Sequence, residues 1–310
     1  MEEVLAFDIG GTNIRVAIMN YTDGTWNMIR RHKVPTSSSP LDVFMNETRQ
    51  MLSSYGSKIT KAGISVAGIV DSKKGLLMKS PNIAKIENVN FIELMNDEFS
   101  MKCVVENDAN SATYGEKIAG AGRDFDNFVM LTLGTGIGGG VVKDGRLLSI
   151  AAEIGHMSIN NEGQQCLCGN IGCIETTASA TAVINKAISE IQKGADSILK
   201  SLYNGNFYKM NAEDIYNAAL EGDMLARNVL KDAGKNLGVG IASLVNIFSP
   251  DAVILTGGLI GAWNIYVESA KNEANRRALK ELIRKVKIIP SALGDDAGLI
   301  GISQIAYEKL

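Results

Sequence analysis

The sequence predicts an α/β protein of two related domains with mixed sheets, and three observations carry that expectation. A strand, a glycine turn and a second strand occur at residues 4–19, and the same order recurs at 128–143. Short apolar runs alternate along the chain with amphipathic segments long enough for helices. At 310 residues the chain can build two domains and a large core. Two halves that each open with such a hairpin are expected to face one another across a cleft.

In chain order, VLAFDIGGTNIRVAIMN reads as strand, tight turn, strand, because apolar residues fill 4–7 and alternate through 14–19. A third strand is expected around 26–34, then a helix over 41–56 between Pro40 and Gly56. KAGISVAGIVD is a strand and turn, FIELMNDEFS a short helix and KCVVE a buried strand. A helix follows over 109–120, entered from Asn107 and Asp108, good capping residues. FVMLTLGTGIGGGVVKDGRLL repeats the opening hairpin. Residues 175–194 read as one helix, 211–249 as two, and 262–283 as one amphipathic helix. A strand at 251–255 ends in Thr256-Gly257-Gly258, and the segment from 286 closes with a strand, a polar loop and a terminal helix.

Composition narrows the function. A net charge of −3 gives no electrostatic footprint for nucleic acid or an anionic membrane. No apolar run approaches the ~18 residues of a membrane span, and the opening residues, with no basic stretch followed by an apolar one, give no expectation of a secretory leader. Few cysteines, clustered like ligands, fit a reducing compartment, and the cytoplasm is the expected location.

The chemistry concentrates at 153–175, EIGHMSINNEGQQCLCGNIGCIE. Three of the four cysteines, Cys166, Cys168 and Cys173, fall within eight residues, with His156 close by. Such a set suits tetrahedral zinc as Cys₃His. The rival readings are buried free thiols and a disulfide, the latter disfavoured by the odd count and the i, i+2 spacing. Glu153 and Glu175 bracket the cluster, so a metal there would order the loop that carries both acids. Cys103, in an apolar run, reads as a core residue.

Two glycine loops suit phosphate. Asp8 ends a strand and leads into Gly10, Gly11 and Thr12, whose backbone N–H groups and hydroxyl suit phosphate oxygens. Asp8 itself would repel phosphate and is better placed to hold Mg²⁺, directly or through water. Gly134, Thr135 and Gly136 repeat the device. A strand follows them, where the dinucleotide fingerprint needs a helix, and no P-loop motif occurs. Two such loops could clamp a polyphosphate, with Gly257 and Gly258 toward the nucleoside end.

With these motifs the chain resembles the ROK family of sugar kinases over nearly its whole length, bacterial-type glucokinases most closely. DIGGTN and LGTGIGGG resemble its phosphate motifs, ENDAN its catalytic segment, and EIGHM with CLCGNIGCIE its sugar-and-zinc signature. The resemblance implies an actin-like, ribonuclease-H-like ATPase fold, with ATP, Mg²⁺ and a structural Zn²⁺. The expected division is a small α/β domain at 1–115 plus about 297–310 and a large one, with the zinc site, at 116–296. The resemblance makes Asp108 the general base and has Gly68, Asn82, Asn107, Glu153, His156 and Glu175 line the sugar site. His156 would use one ring nitrogen for sugar and the other for zinc. The family often has proline where this chain has Ala67.

The expected activity is ATP-dependent phosphorylation of a hexose, glucose at O6 first, with N-acetylhexosamine or fructose as alternative acceptors. A non-catalytic sugar-responsive regulator is the reading from another class; it would need a DNA-binding segment ahead of the first strand, and an acidic chain is poorly suited to it. No membrane or nucleic-acid partner is expected, and a homodimer or homotetramer is. Glu93 and Glu116 read as solvated helix faces.

Overall fold

Each apolar run of the opening segment becomes a strand because its side chains find cover on both faces. The computed structural model describes residues 2–56, 58–80, 83 and 86–310. The strands are β1 Glu2–Ile9, β2 Asn13–Thr22, β3 Thr25–Pro35, β4 Lys61–Val66, β5 Ile69–Asp71, β6 Leu76–Lys79, β7 Glu87–Asn90 and β8 Lys102–Asn107, then β9 Phe128–Leu133, β10 Ile137–Lys143, β11 Arg146–Leu147, β12 Ala252–Thr256 and β13 Lys287–Pro290. The helices are α1 Pro40–Ser53, α2 Phe91–Phe99, α3 Asp108–Ala119, α4 Glu175–Ala178, α5 Ala180–Gln192, α6 Ala212–Leu220, α7 Met224–Phe248, α8 Glu268–Arg277, α9 Lys280–Ile283 and α10 Ala297–Lys309.

The duplication expected from the two hairpins is present in the sheets. One has the order β3-β2-β1-β4-β8 and the other β11-β10-β9-β12-β13. Ranked along the chain, both run third, second, first, fourth, fifth. In the first, β1 is antiparallel to β2 and parallel to β4, and β4 is parallel to β8. In the second, β9, β12 and β13 are parallel. A small sheet β5-β6-β7 is attached to the first half.

Two compact units result: residues 1–126, 140–151 and 292–310, and residues 127–139 and 152–291. The first unit therefore keeps all of α3, which a boundary at 115/116 would cut. In that unit Leu5, Phe7 and Ile9 pack on Phe44 of α1 and on Phe91 and Met95 of α2. Val4 and Ala6, on the opposite face, join Leu299 and Ile302 of α10. Period-2 alternation with apolar residues on both sides is the pattern of a sheet covered twice. Among the described residues no helix is long and apolar enough to cross a membrane.

Two expected helices are broken. Residues 175–194 split at Ser179, whose extended backbone (ψ 166) ends α4 while its side chain caps α5 at the Ala182 N–H. Residues 262–283 form a π-turn at Trp263–Val267, then α8, an extended Ala278, and α9.

Glu93 is exposed as expected, but Glu116 is not a solvated position: it is fully buried on α3. Its carboxylate accepts from the backbone N–H groups of Ala121 (2.7 Å), Ala292 (3.1 Å) and Leu293 (2.9 Å). These donors belong to the two connections that flank chain crossings between the units. Glu116→Ala would leave three N–H groups without an acceptor. At about 1 kcal/mol or more for each, unfolding stability should drop by ~3 kcal/mol or more, read from the urea midpoint. An unchanged midpoint would contradict this role.

Candidate active site

In the first unit the candidate residues follow the carboxyl ends of parallel strands, where α/β sheets bind ligands. The register sets Asp8 beside Ser65 and Ser65 beside Glu106. The turn Gly10–Thr12 is closed by Gly10 N–H to Asn13 O (3.0 Å) and tied to the end of β3 by Thr36 N–H to Thr12 O (2.9 Å). Gly11 and Thr12 remain exposed, so the backbone is presented outward.

Asp8 is not the open carboxylate that a metal ligand alone would be. Its Oδ2 receives Arg15 Nη1 at 2.9 Å, and Ser65 Oγ lies 3.3 Å from Oδ1. Burial pushes the Asp8 carboxyl up, against the pull of the Arg15 guanidinium. Arg15 also reaches Asp295 at 2.9 Å. A direct bond from Asp8 to magnesium would compete with Arg15, whereas a contact through water would leave the pair intact.

The local structure around Asp108 assigns the helix cap to the residue before it. The N-cap of α3 is Asn107, whose Oδ1 accepts from the Ala109 and Asn110 N–H groups at 2.9 and 3.1 Å. Asp108 is the first helical residue, half-buried, where the dipole favours a negative charge. Asn107 Nδ2 donates to Gly68 O at 3.0 Å, so its amide is largely committed to the fold. Gly68 has φ +139°, and a Cβ there would meet Lys79 O, so the turn requires glycine. Ala67 donates its N–H to Ile9 O at 2.9 Å, a bond that proline could not make. This turn is therefore held by the β1-β4 ladder where the family often uses a ring. Asn82 lies outside the described residues.

In the second unit Gly134, Thr135 and Gly136 follow β9, and Gly257 and Gly258 follow the neighbouring parallel β12. Gly134 N–H bonds Gly136 O at 3.0 Å. Ala180 N–H reaches Gly134 O at 2.9 Å, and Thr181 Oγ1 donates to Thr135 O at 2.8 Å. Glu175, the first residue of α4, accepts from Ile137 N–H through Oε2 at 2.7 Å. The loop thus rests on the segment that leaves the cysteine cluster.

His156, Cys166, Cys168 and Cys173 each bring one ligand atom within 4.8 Å of the others. Cys166 Sγ lies 3.7 Å from His156 Nδ1, and the Cys168 and Cys173 sulfurs are 3.7 Å apart. Two thiolates on one tetrahedral zinc, each ~2.3 Å from the ion, are about 3.8 Å apart, so the donor set fits a Cys₃His ion. A disulfide would need about 2.0 Å. Without a metal, burial pushes the Cys173 thiol up to about 12, and a bound cation would oppose that. The turn at Ile154–His156 aims the other ring nitrogen of His156, Nε2, at Glu153, 4.0 Å away.

Asn170 escaped the sequence reading. Its Nδ2 donates to His156 O (3.1 Å) and to Cys173 Sγ (3.4 Å), tying both ends of the cluster together. The signal was an Asn directly after the Gly of CLCG, a position suited to a tight turn. Gly172, at φ +70°, would drive a Cβ into the Asn160 backbone, which makes glycine obligatory beside Cys173. Cys103 is buried in the core as expected.

The chain is similar to known proteins over nearly its whole length. The ROK family model matches residues 4–309. The glucokinase of Thermotoga maritima is 32% identical over 313 residues, spanning 99% of this chain and 98% of its own. A ROK family glucokinase from Streptomyces griseus, solved with glucose and AMPPNP, superposes with a TM-score of 0.82 at 28% identity over 99% of each chain. The xylose repressor of Bacillus spizizenii is 28% identical, spanning 98% of this chain and 77% of its own. Duplicated sheets that each open into a glycine loop define an actin-like ATPase fold. Within that class, the chain belongs to the ROK family.

Proposed function

We propose that this chain is an ATP-dependent sugar kinase whose acceptor is glucose, phosphorylated at O6. The observation that carries the reading is the carboxylate of Asp108 at the start of α3, where Asn107 supplies the helix cap. The glucokinases of Thermotoga maritima and Streptomyces griseus, similar from end to end, support the choice of sugar.

In this reading the backbone N–H groups of Gly10, Gly11, Thr12, Gly134, Thr135 and Gly136 bind the phosphates, and Gly257 and Gly258 face the nucleoside. Asp108 accepts the proton of the sugar hydroxyl as its oxygen attacks the γ-phosphorus. The helix dipole favours the charged form of that carboxylate. Glu153, His156, Glu175, Asn82 and Asn107 hold hydroxyls, and Gly68 lets the chain pass close to the ring. Magnesium, which neutralises phosphate charge when bound, would be reached by Asp8 through water. Zinc would be held by His156, Cys166, Cys168 and Cys173; four protein ligands leave no open position, so it would serve to order Glu153 and Glu175.

A second reading rests on the similarity to xylose repressors: a sugar-responsive regulator that binds its sugar without turning it over. An ADP-release assay with Mg-ATP against glucose, mannose, fructose, GlcNAc and ManNAc separates the readings. Strong turnover on glucose is expected. Turnover confined to an acetylated or keto sugar would keep the mechanism and change the acceptor. Sugar binding with no ADP release on any of the five would favour the regulator.

A further inference from the structure

Glu175 enters the proposed function only as a ligand for sugar, yet its carboxylate is already engaged elsewhere. Oε2 accepts from Ile137 N–H at 2.7 Å, at the exit of the second phosphate loop. Gly136 stands so close that a Cβ on it would collide with the same oxygen. The bond that Ile137 N–H donates needs an acceptor oxygen at the reach of this side chain, which a carboxylate or a glutamine amide of the same length can supply. It fixes the residue that ends the loop and leaves Oε1 available for a second partner.

The position of Glu175 is itself tightly held. It follows Cys173 and Ile174, both buried. Ile174 N–H bonds Met157 O at 2.9 Å, and Cys173 O receives Thr176 Oγ1 at 2.7 Å. At the other end of α4, the buried Tyr266 hydroxyl donates to Ala178 O at 2.6 Å. The same stretch supplies Ala180 N–H and Thr181 Oγ1 to the loop carbonyls of Gly134 and Thr135. Three contacts from 175–181 thus reach three consecutive peptide groups of the loop or its exit.

We infer that Glu175 is a positioning residue for nucleotide as well as a ligand for sugar: its Oε2 holds the Gly134–Ile137 turn in the shape that binds phosphate, before any sugar arrives. This rests on the proposed kinase reading, in which that turn meets the nucleotide. It predicts a dependence that a sugar ligand alone would not show, namely that nucleotide affinity without sugar depends on the reach of residue 175.

Two conservative variants separate reach from charge. Glu175→Asp keeps the charge and withdraws the acceptor by one methylene. Glu175→Gln keeps an acceptor oxygen at the same reach and removes the charge. Binding of Mg-AMPPNP without sugar is measured by titration calorimetry on full-length protein, with thermal melting to verify folding. The expected result is at least tenfold weaker binding for Glu175→Asp and binding within about threefold of wild type for Glu175→Gln. Hydrogen exchange over 134–137 should quicken in Glu175→Asp and not in Glu175→Gln. Equal affinity in all three proteins would overturn the inference, as would a loss in Glu175→Gln that matches or exceeds the loss in Glu175→Asp. Wild-type protein that binds no nucleotide would instead overturn the kinase reading on which the inference stands.

Discussion

Asp108→Asn is expected to lower kcat on glucose by about 10²–10⁴-fold while glucose still binds with nearly wild-type affinity. Asparagine keeps the size and a hydrogen-bonding oxygen, but it cannot take a proton from the attacking hydroxyl. At 1.36 kcal/mol for each tenfold, the change corresponds to about 3–5 kcal/mol of transition-state stabilisation. The start of α3 should survive, since the cap is the Asn107 side chain and the first turn keeps its bonds to it. Rapid-quench turnover alongside calorimetric glucose binding checks both halves. A variant with near-normal kcat would remove Asp108 as the base, and loss of glucose binding equal to the loss of rate would make it a binding residue.

The second large effect concerns the metal. In the proposed zinc site, Cys173→Ser should abolish stoichiometric metal, because Cys173 is completely buried and would supply one of four ligand atoms. The metal-binding energy of such a site is folding energy for the segment that carries it. The loss should fall on 153–175 more than on the first unit's sheet, whose core clusters include none of these residues. Glucose affinity is therefore expected to fall at least tenfold, with a smaller effect on the main thermal transition. Elemental analysis and calorimetry read the two quantities. Zinc-free protein with wild-type glucose affinity would contradict the proposal that the ion orders Glu153 and Glu175.

Much of this arrangement is legible in the sequence. The paired hairpins stood out because glycine turns punctuate apolar runs, and the two sheets carry the same strand order. The cysteine cluster stood out because its ligands lie close in sequence. What escaped depended on distant partners. Glu116 looked like any helix-surface acid, since the N–H groups that fill its carboxylate come mainly from residues 292 and 293. The break at Ser179 lies in TTASATA, where serine and threonine are only moderate helix formers and serine is a ready N-cap, and the anchor that marks it is Tyr266 on another segment. Strands β6 and β7 are four residues each, too short to show a period. The pairing of Asp8 with Arg15 was within reach: closing the Gly10–Thr12 turn sets Ile9 opposite Ile14 and therefore Asp8 opposite Arg15.

Asp8 thereby changes character. A lone carboxylate beside phosphate would be repelled, but one bonded to a guanidinium presents little net charge to the turn that follows it. Arg15, in turn, is held between Asp8 and Asp295, so both ends of the first unit's chain contribute to the setting of the first glycine loop.

The most direct test of the central proposal is the identity of the product. Purified protein, glucose and Mg-ATP are incubated, and the phosphoryl position is read by phosphorus-proton correlation NMR. The expected spectrum couples the new phosphate to the two protons on C6, with one ADP formed for each ester. ADP formed without a sugar ester, or an ester on any oxygen other than O6, would contradict the account.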